Sequence, residues 1–408
     1  AAAWDNGGIA ALPLVDDLTA PGSGNIRIRA IHAAAGVGEV DIWNVTDLSN
    51  PSPLWVDLGM GMAGDYLEVP AAAYTLGFDL DNDMMVDIFV EVPALPAGSI
   101  INAYASLDGS GAFYILAQLQ EGTTAAVTPS DANLRVVHGA PGVGTVDVWA
   151  NAGVQLIPNF AYLAGTPATM VAAGTYDIQL TAPGGDPMNP AAEFTGVTLP
   201  PADLTAVASI DGGAPLLGLA DDMSAPAAGK FRVRAVHIAD GIGQVDIWER
   251  TGPAPLWVDL DRGAAGDYLE LDAGAYQIGF DVDNDQVTDV DFDLPAIAAG
   301  EVLNVFAIND GGTVFLLVQF FTGTTARIDA NSPKSRHPTR APSPPAGRGR
   351  FAFLPALDCT YPTKMVGFAA GGIAKQPHLG PHGPGRRNLR SNHASADPPE
   401  QPPTGSRP

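Results

Sequence analysis

The sequence predicts an all-β chain: tandem immunoglobulin-like antiparallel β-sandwich modules followed by a disordered C-terminal tail. Three observations predict it. One passage occurs three times, as IRAIHAAAGVGEVDIW at 28–43, LRVVHGAPGVGTVDVW at 134–149 and VRAVHIADGIGQVDIW at 233–248. Its histidines, His32, His138 and His237, stand 106 and 99 residues apart, which is one small domain per copy and too long for a solenoid repeat. Between the copies, short runs of Val, Ile, Phe, Tyr and Trp alternate with Gly, Pro, Asp and Asn turns, and no helix-length window shows a clean 3.6-residue period.

In the third copy the expected strands are 231–237, 244–249, 255–260, 267–271, 275–281, 290–294, 301–308 and 313–321. Eight short strands in so short a span fit a sandwich best. The first and third copies are the closer pair. They share PLWVDL (Pro53–Leu58, Pro255–Leu260), AGDYLE (Ala63–Glu68, Ala265–Glu270) and GTTA (Gly122–Ala125, Gly323–Ala326). The order is therefore type A at 22–130, type B at 131–228 and type A at 229–330. The linkers Thr128–Asp131 and Ala225–Gly229 are short, so neighbours should sit as semi-rigid beads.

Both ends cut through this alternation. Gly7–Pro21 resembles Gly212–Pro226, which closes the type B unit, so residues 1–21 read as the terminal strand of a preceding type B repeat. Asp329-Ala330-Asn331 matches Asp131-Ala132-Asn133, yet SPKSRHPTRAPSPP follows where a type B unit should begin. Residues 331–408 form a basic, Pro-rich stretch holding 15 of the 36 prolines. Two readings fit it: a natural disordered extension, or an out-of-frame translation of the next repeat.

Residues 1–332 carry 42 acidic side chains against 9 Lys and Arg, a net −33, whereas residues 333–408 carry +8. So acidic a body repels phosphate backbones, which argues against nucleic acid. Lys230 is its only lysine, and such a surface suits a calcium-rich or salty exterior. No apolar run approaches the ~18 residues of a membrane helix, so no transmembrane segment is expected. AAAWDNGG lacks the features of a signal peptide, so the expectation is an extracellular or cell-surface protein whose native N-terminus lies upstream. Cys359 is the only cysteine, so no disulfide forms within the chain and the body must stand on packing or metal.

The Arg-x-x-His strand (Arg29–His32, Arg135–His138, Arg234–His237) is followed by Val-Asp-x-Trp (Val40–Trp43, Val146–Trp149, Val245–Trp248). An Ala-Gly-x-Tyr element follows at Ala173–Tyr176 and Ala273–Tyr276, and is reduced to Ala72-Ala73-Tyr74 in the first copy. Together these resemble the domain of unknown function 4397 family over about residues 26–328. Trp stands where that family usually has Tyr, and AAGVG, APGVG and ADGIG replace its Ser-Pro-Asp-Ala-Pro. The resemblance implies a secreted or surface β-domain, usually in tandem, with no established activity and no catalytic residues to carry over.

The repeated histidine invites a catalytic reading, but no second histidine, His-Glu-x-x-His or Gly-x-Ser-x-Gly accompanies it within a copy. A buried imidazole bonding a loop carbonyl, with Arg meeting Asp41, Asp147 or Asp246 across strands on the exposed face, explains all three copies. The sharper feature is an aspartate ladder confined to type A: Asp79, Asp81, Asp83 and Asp87, and Asp281, Asp283, Asp285 and Asp289. Carboxylates at positions 1, 3, 5 and 9 suit Ca²⁺, which takes six to eight oxygens. An EF-hand is excluded, because Met84 or Gln286 stands at its glycine position and Val90 or Phe292 at its glutamate position. A hairpin-tip calcium site and a plain polar turn both fit, and the type B counterpart, Ala182–Pro187, has no ladder.

The leading expectation is a non-enzymatic spacer or adhesin-like scaffold facing an unidentified surface or extracellular partner. The alternative is a carbohydrate- or ligand-binding module using Trp43, Trp55, Trp248 and Trp257, or a non-catalytic appendage of a larger secreted protein. No nucleophile–base pair supports an enzyme.

Overall fold

The computed structural model describes residues 2–5, 9–209 and 216–331, and every regular element among them is a strand. The tail beyond Asn331, its two readings and Cys359 lie outside the described residues. No helix among the described residues is long and apolar enough to cross a membrane.

Strands β1 (Ala2–Asp5) and β2 (Ile9–Leu12) form a hairpin. The first module holds β3 (Asn25–His32), β4 (Val40–Asn44), β5 (Ser52–Leu58), β6 (Leu67–Pro70), β7 (Tyr74–Asp79), β8 (Ile88–Val92), β9 (Ile100–Leu107), β10 (Phe113–Leu119) and β11 (Thr124–Val127). Its sheets run β11-β10-β9-β3-β6 and β5-β4-β7-β8. The second module holds β12 (Asp131–His138), β13 (Val146–Ala150), β14 (Val154–Phe160), β15 (Thr169–Ala172), β16 (Gly174–Thr181), β17 (Ala192–Leu199), β18 (Asp203–Ala208) and β19 (Leu216–Ala220). They pair as β15-β12-β18-β19 and β14-β13-β16-β17.

The third module holds β20 (Lys230–His237), β21 (Val245–Glu249), β22 (Pro255–Leu260), β23 (Ala264–Ala265), β24 (Leu269–Asp272), β25 (Gly274–Asp281), β26 (Val290–Ile297), β27 (Val302–Asp310), β28 (Thr313–Phe320) and β29 (Thr325–Asp329). One sheet runs β23-β20-β27-β28-β29, with β24 also on β20, and the other β22-β21-β25-β26.

Each module is thus a two-sheet sandwich resembling the immunoglobulin arrangement. Pairing is antiparallel except once per module, where the first strand lies parallel to a later one: β3 with β9, β12 with β18 and β20 with β27. The chain leaves the first sheet, builds the second and returns, and such a crossover brings a strand back in its original direction. Alternation explains the burial. Val40 and Ile42 of β4, or Val245 and Ile247 of β21, point into the sandwich, and the aromatic rings of Phe280 and Phe292 meet at 5.1 Å. All eight strands expected in the third copy form, within a few residues. Two strands are unexpected: the two-residue β23, and β29, which reads Thr-Ala-Arg-Ile-Asp and adds to the sheet edge through its backbone pairing with β28, so its sequence carries little apolar signal.

The modules are joined by shared cores, a closer union than the expected beads. Val137, Val207, Leu217 and Leu219 of the second module pack with Val236, Ile238, Phe306, Ile308, Phe315 and Leu317 of the third in one buried cluster. Between the first and second modules a smaller cluster joins Val45 and Phe89 to Ala173.

Candidate functional site

Each repeated histidine is 1% exposed. His32, His138 and His237 place Nε2 at 2.8, 2.9 and 2.7 Å from the carbonyls of Gly38, Gly144 and Gly243. Nδ1 accepts from the amides of Ala34, Ala140 and Ala239 at 3.3–3.4 Å. An accepting Nδ1 leaves the hydrogen on Nε2, so the hydrogen-bond network assigns a neutral imidazole that ties the strand to its glycine-rich loop. Burial holds His138 below its ordinary pKa, opposed by the bond to Gly144.

The expected partnership of Arg with the strand aspartate on the exposed face is corrected: Arg29, Arg135 and Arg234 are buried and meet other partners. Asp41, Asp147 and Asp246 instead accept the backbone N–H of Asp57, Asn159 and Asp259 at 2.7, 2.6 and 2.7 Å. Those three residues have φ of 51°, 51° and 52° and sit in β-bulges, so the carboxylate holds a left-handed residue that would otherwise be strained. The amides of Asn159 and Gly184 also hold Asp147 below the usual carboxylate range.

Arg29 and Arg234 turn to the segment that precedes their module, whereas Arg135 meets Asp203 and Asp221 of its own. Arg29 Nη2 meets Asp16 at 2.6 Å, and Arg234 Nη2 meets Asp221 at 2.5 Å. The rest of each node matches: Nε donates to Asn102 or Asn304, and the guanidinium lies 4.6 Å from the ring centroid of Tyr66 or Tyr268. Asp221 is fully buried, accepts from Thr205 Oγ1 at 2.6 Å, and also faces Arg135 at 3.4 Å. Burial raises its pKa, against the pull of Arg234, Thr205, Arg135 and Asn304. These node residues were missed in the sequence, although the Asp-Asp pair shared by Gly7–Pro21 and Gly212–Pro226 carried the signal. Ala3 faces Ala11 across β1 and β2 as Ala208 faces Leu216 across β18 and β19, the same register under that alignment.

The ladders form the loops β7–β8 and β25–β26. Carboxylate oxygens of Asp79, Asp81 and Asp87 lie within 4.8 Å of one another, as do those of Asp281, Asp283 and Asp285. Asp83 stays outside the first trio and Asp289 outside the second. Asp79 is buried and organises its own loop, with Oδ1 accepting from Asn82 N at 2.7 Å and Oδ2 from Met84 N at 2.8 Å. Asp281 does the same for Asp285 N and Gln286 N, at 3.3 and 2.7 Å. Burial raises the pKa of Asp87, aided by the charges of Asp81, Asp79 and Asp83; Asp283 is raised by partial desolvation and by Asp285, Asp289 and Asp281.

The first ladder loop is also a joint. Val86 O accepts from Thr175 Oγ1 at 2.7 Å, and the backbone of Asp87 abuts Gly174, where a Cβ would overlap it. In the third module the positions matching Val45, Val86 and Phe89 are Arg250, Thr288 and Asp291, which bond to one another: Arg250 Nε to Asp291 at 3.2 Å and Thr288 Oγ1 to Asp291 at 2.8 Å.

Trp55 and Trp257 face into their sandwiches, donating Nε1–H to Asp65 O and Asp267 O at 2.9 Å. Trp43 packs against the first joint, and Trp248 Nε1 is buried without a partner. The four indoles therefore make no shared stacking platform of the kind the carbohydrate alternative needs. No residue cluster among those described is arranged for catalysis.

Residues 132–248 match the family model described as Domain of unknown function (DUF4397). That span runs from β12 of the second module to β21 of the third. No curated protein matches the chain. Among solved structures, "The Bacillus anthracis TIE protein" is similar over 70% of this chain and 50% of its own, at 12% identity and a TM-score of 0.17. This chain thus spans about half the length of that one.

Proposed function

We propose that the chain is a non-enzymatic extracellular or cell-surface array, a spacer or adhesin-like scaffold, whose type A loops calcium stiffens. One observation carries this reading: the loop that gathers Asp79, Asp81 and Asp87 is the loop that touches the next module. A cation there would relieve the repulsion among the carboxylates and hold the joint at once. The ligands would be Asp79, Asp81, Asp83 and Asp87 in the first module and Asp281, Asp283, Asp285 and Asp289 in the third. Asp83 and Asp289 would close in as the cation draws the loop together. Residues 1–21, in which the β1–β2 register and the Asp16 partner of Arg29 repeat the type B ending, are read as the close of a further type B unit.

Thermal unfolding of the full chain with calcium, then with excess chelator, tests the stiffening. A native-state ligand at a hundredfold excess over Kd adds about 2.7 kcal/mol. The expected result is an upward shift that falls away in Asp81→Asn and Asp283→Asn. Identical curves with and without calcium would reduce the ladders to polar turns.

A further inference from the structure

We infer that the type B module is a binding site for an apolar molecule of acyl-chain size, held between its two sheets. The second sandwich encloses a cavity of about 670 Å³, against about 250 Å³ in the first and about 40 Å³ in the core of the third. Ligand pockets of this chemistry span roughly 300–1,000 Å³. The inference is independent of calcium and of the scaffold reading.

The strand registers explain how one fold makes a solid core in one module and a hollow one in the other. Opposite Ile247 stand Trp257 and Phe280, whereas opposite the matching Val148 stand Ile157 and Leu180. The first module also uses the large pair, Trp55 and Phe78, opposite Ile42. Across the other sheet the facing pair Val305 and Val318 becomes Ala206 and Gly218. Five inward positions, Val148 included, have therefore lost volume relative to the third module.

An edge is open as well. In the type A modules a fifth strand, β11 or β29, packs against the opposite sheet at β8 or β26 and closes that side. In the type B module the sheet ends at β19, and among the described residues no strand stands there. The consequence is visible in burial. Leu180 and Phe194 are half-buried, while the matching Phe280 and Phe292 are 4% and 0% exposed. The buried apolar residues also fall into two clusters, bridged by the half-buried Val136 and Ile178, where the interior of the third module has one.

The lining defines the ligand. It is almost wholly aliphatic, with Thr166, Thr169, Ser209 and His138 as its few polar side chains and no charged one. Both ring nitrogens of His138 are engaged by Gly144 and Ala140. A charged head group finds no partner inside and stays at the open edge, while the hydrocarbon fills the space. An apolar cavity left empty costs stability in proportion to its volume, so occupancy by hydrocarbon stabilises the module.

The test titrates the full chain with cis-parinaric acid, whose fluorescence rises in an apolar site, and then competes it with palmitate and with methyl palmitate. Saturable binding of one molecule per chain, displaced by both competitors, is expected. Ile157→Trp with Leu180→Phe, which restores the type A residues, should weaken binding at least tenfold without lowering the thermal midpoint. If the double variant fails to unfold cooperatively, Leu180→Phe alone is read in the same way. Absence of saturable fluorescence, or undiminished binding in the filled variants, overturns the inference.

Discussion

At the residue scale, the same side chain serves different partners according to what the fold lays beside it. Asp246 holds a bulge, and Asp221, from the preceding module, sits between Arg135 and Arg234. Burial already disfavours the Asp221 charge, yet removing it strands two guanidiniums in the same buried space. Asp221→Ala should therefore cost about 3–5 kcal/mol in chemical unfolding, with Asp221→Asn milder. His138 supplies a pH dependence whose sign follows from its lowered pKa. The unfolded chain binds the proton more readily, so stability is fully present above the ordinary value of 6.5 and falls as pH drops through it toward the folded value. Unfolding midpoints measured on either side of that value should show this slope, and His138→Gln should flatten it.

At the element scale, the type A sandwich depends on how close its elements approach. A Cβ at Gly266 would overlap the Trp257 indole, as one at Gly64 would overlap Trp55. Gly266→Ala should cost about 1–3 kcal/mol, read as a lowered thermal midpoint. In the second module Thr166 stands at the Gly266 position, and the preceding Gly165, which matches Ala265, faces Thr325 and Gly323 of the third. The eight strands of the third copy were legible because their apolar residues are bounded by turn formers. The edge strand β29 was not, because backbone pairing with β28 holds it more than side-chain burial.

At the whole-molecule scale, the two joints differ in kind. The joint between the second and third modules is a continuous apolar cluster in which Phe306 is fully buried, and Phe306→Ala should cost about 3–5 kcal/mol. Calorimetry should then resolve the second and third modules as separate transitions where the parent chain unfolds them together. The first joint rests on Val45, Phe89 and Ala173, and its counterpart face in the third module is the self-paired Arg250, Thr288 and Asp291. Equivalent faces of related modules thus differ in what they can bury.

The sequence by itself determined the all-β class, the three copies and their alternation, because strand period, turn residues and repetition are local properties. It also located both ladders and placed each histidine against a loop carbonyl, since a lone imidazole on an apolar strand must find a partner within reach. Only the tertiary structure decided the rest. Which aspartate meets which arginine, which three carboxylates converge and how much space the second sandwich encloses are set by crossovers, bulges and joints between modules. Those bring together residues such as Thr205 and Asn304, about a hundred positions apart, through contacts that no local pattern encodes.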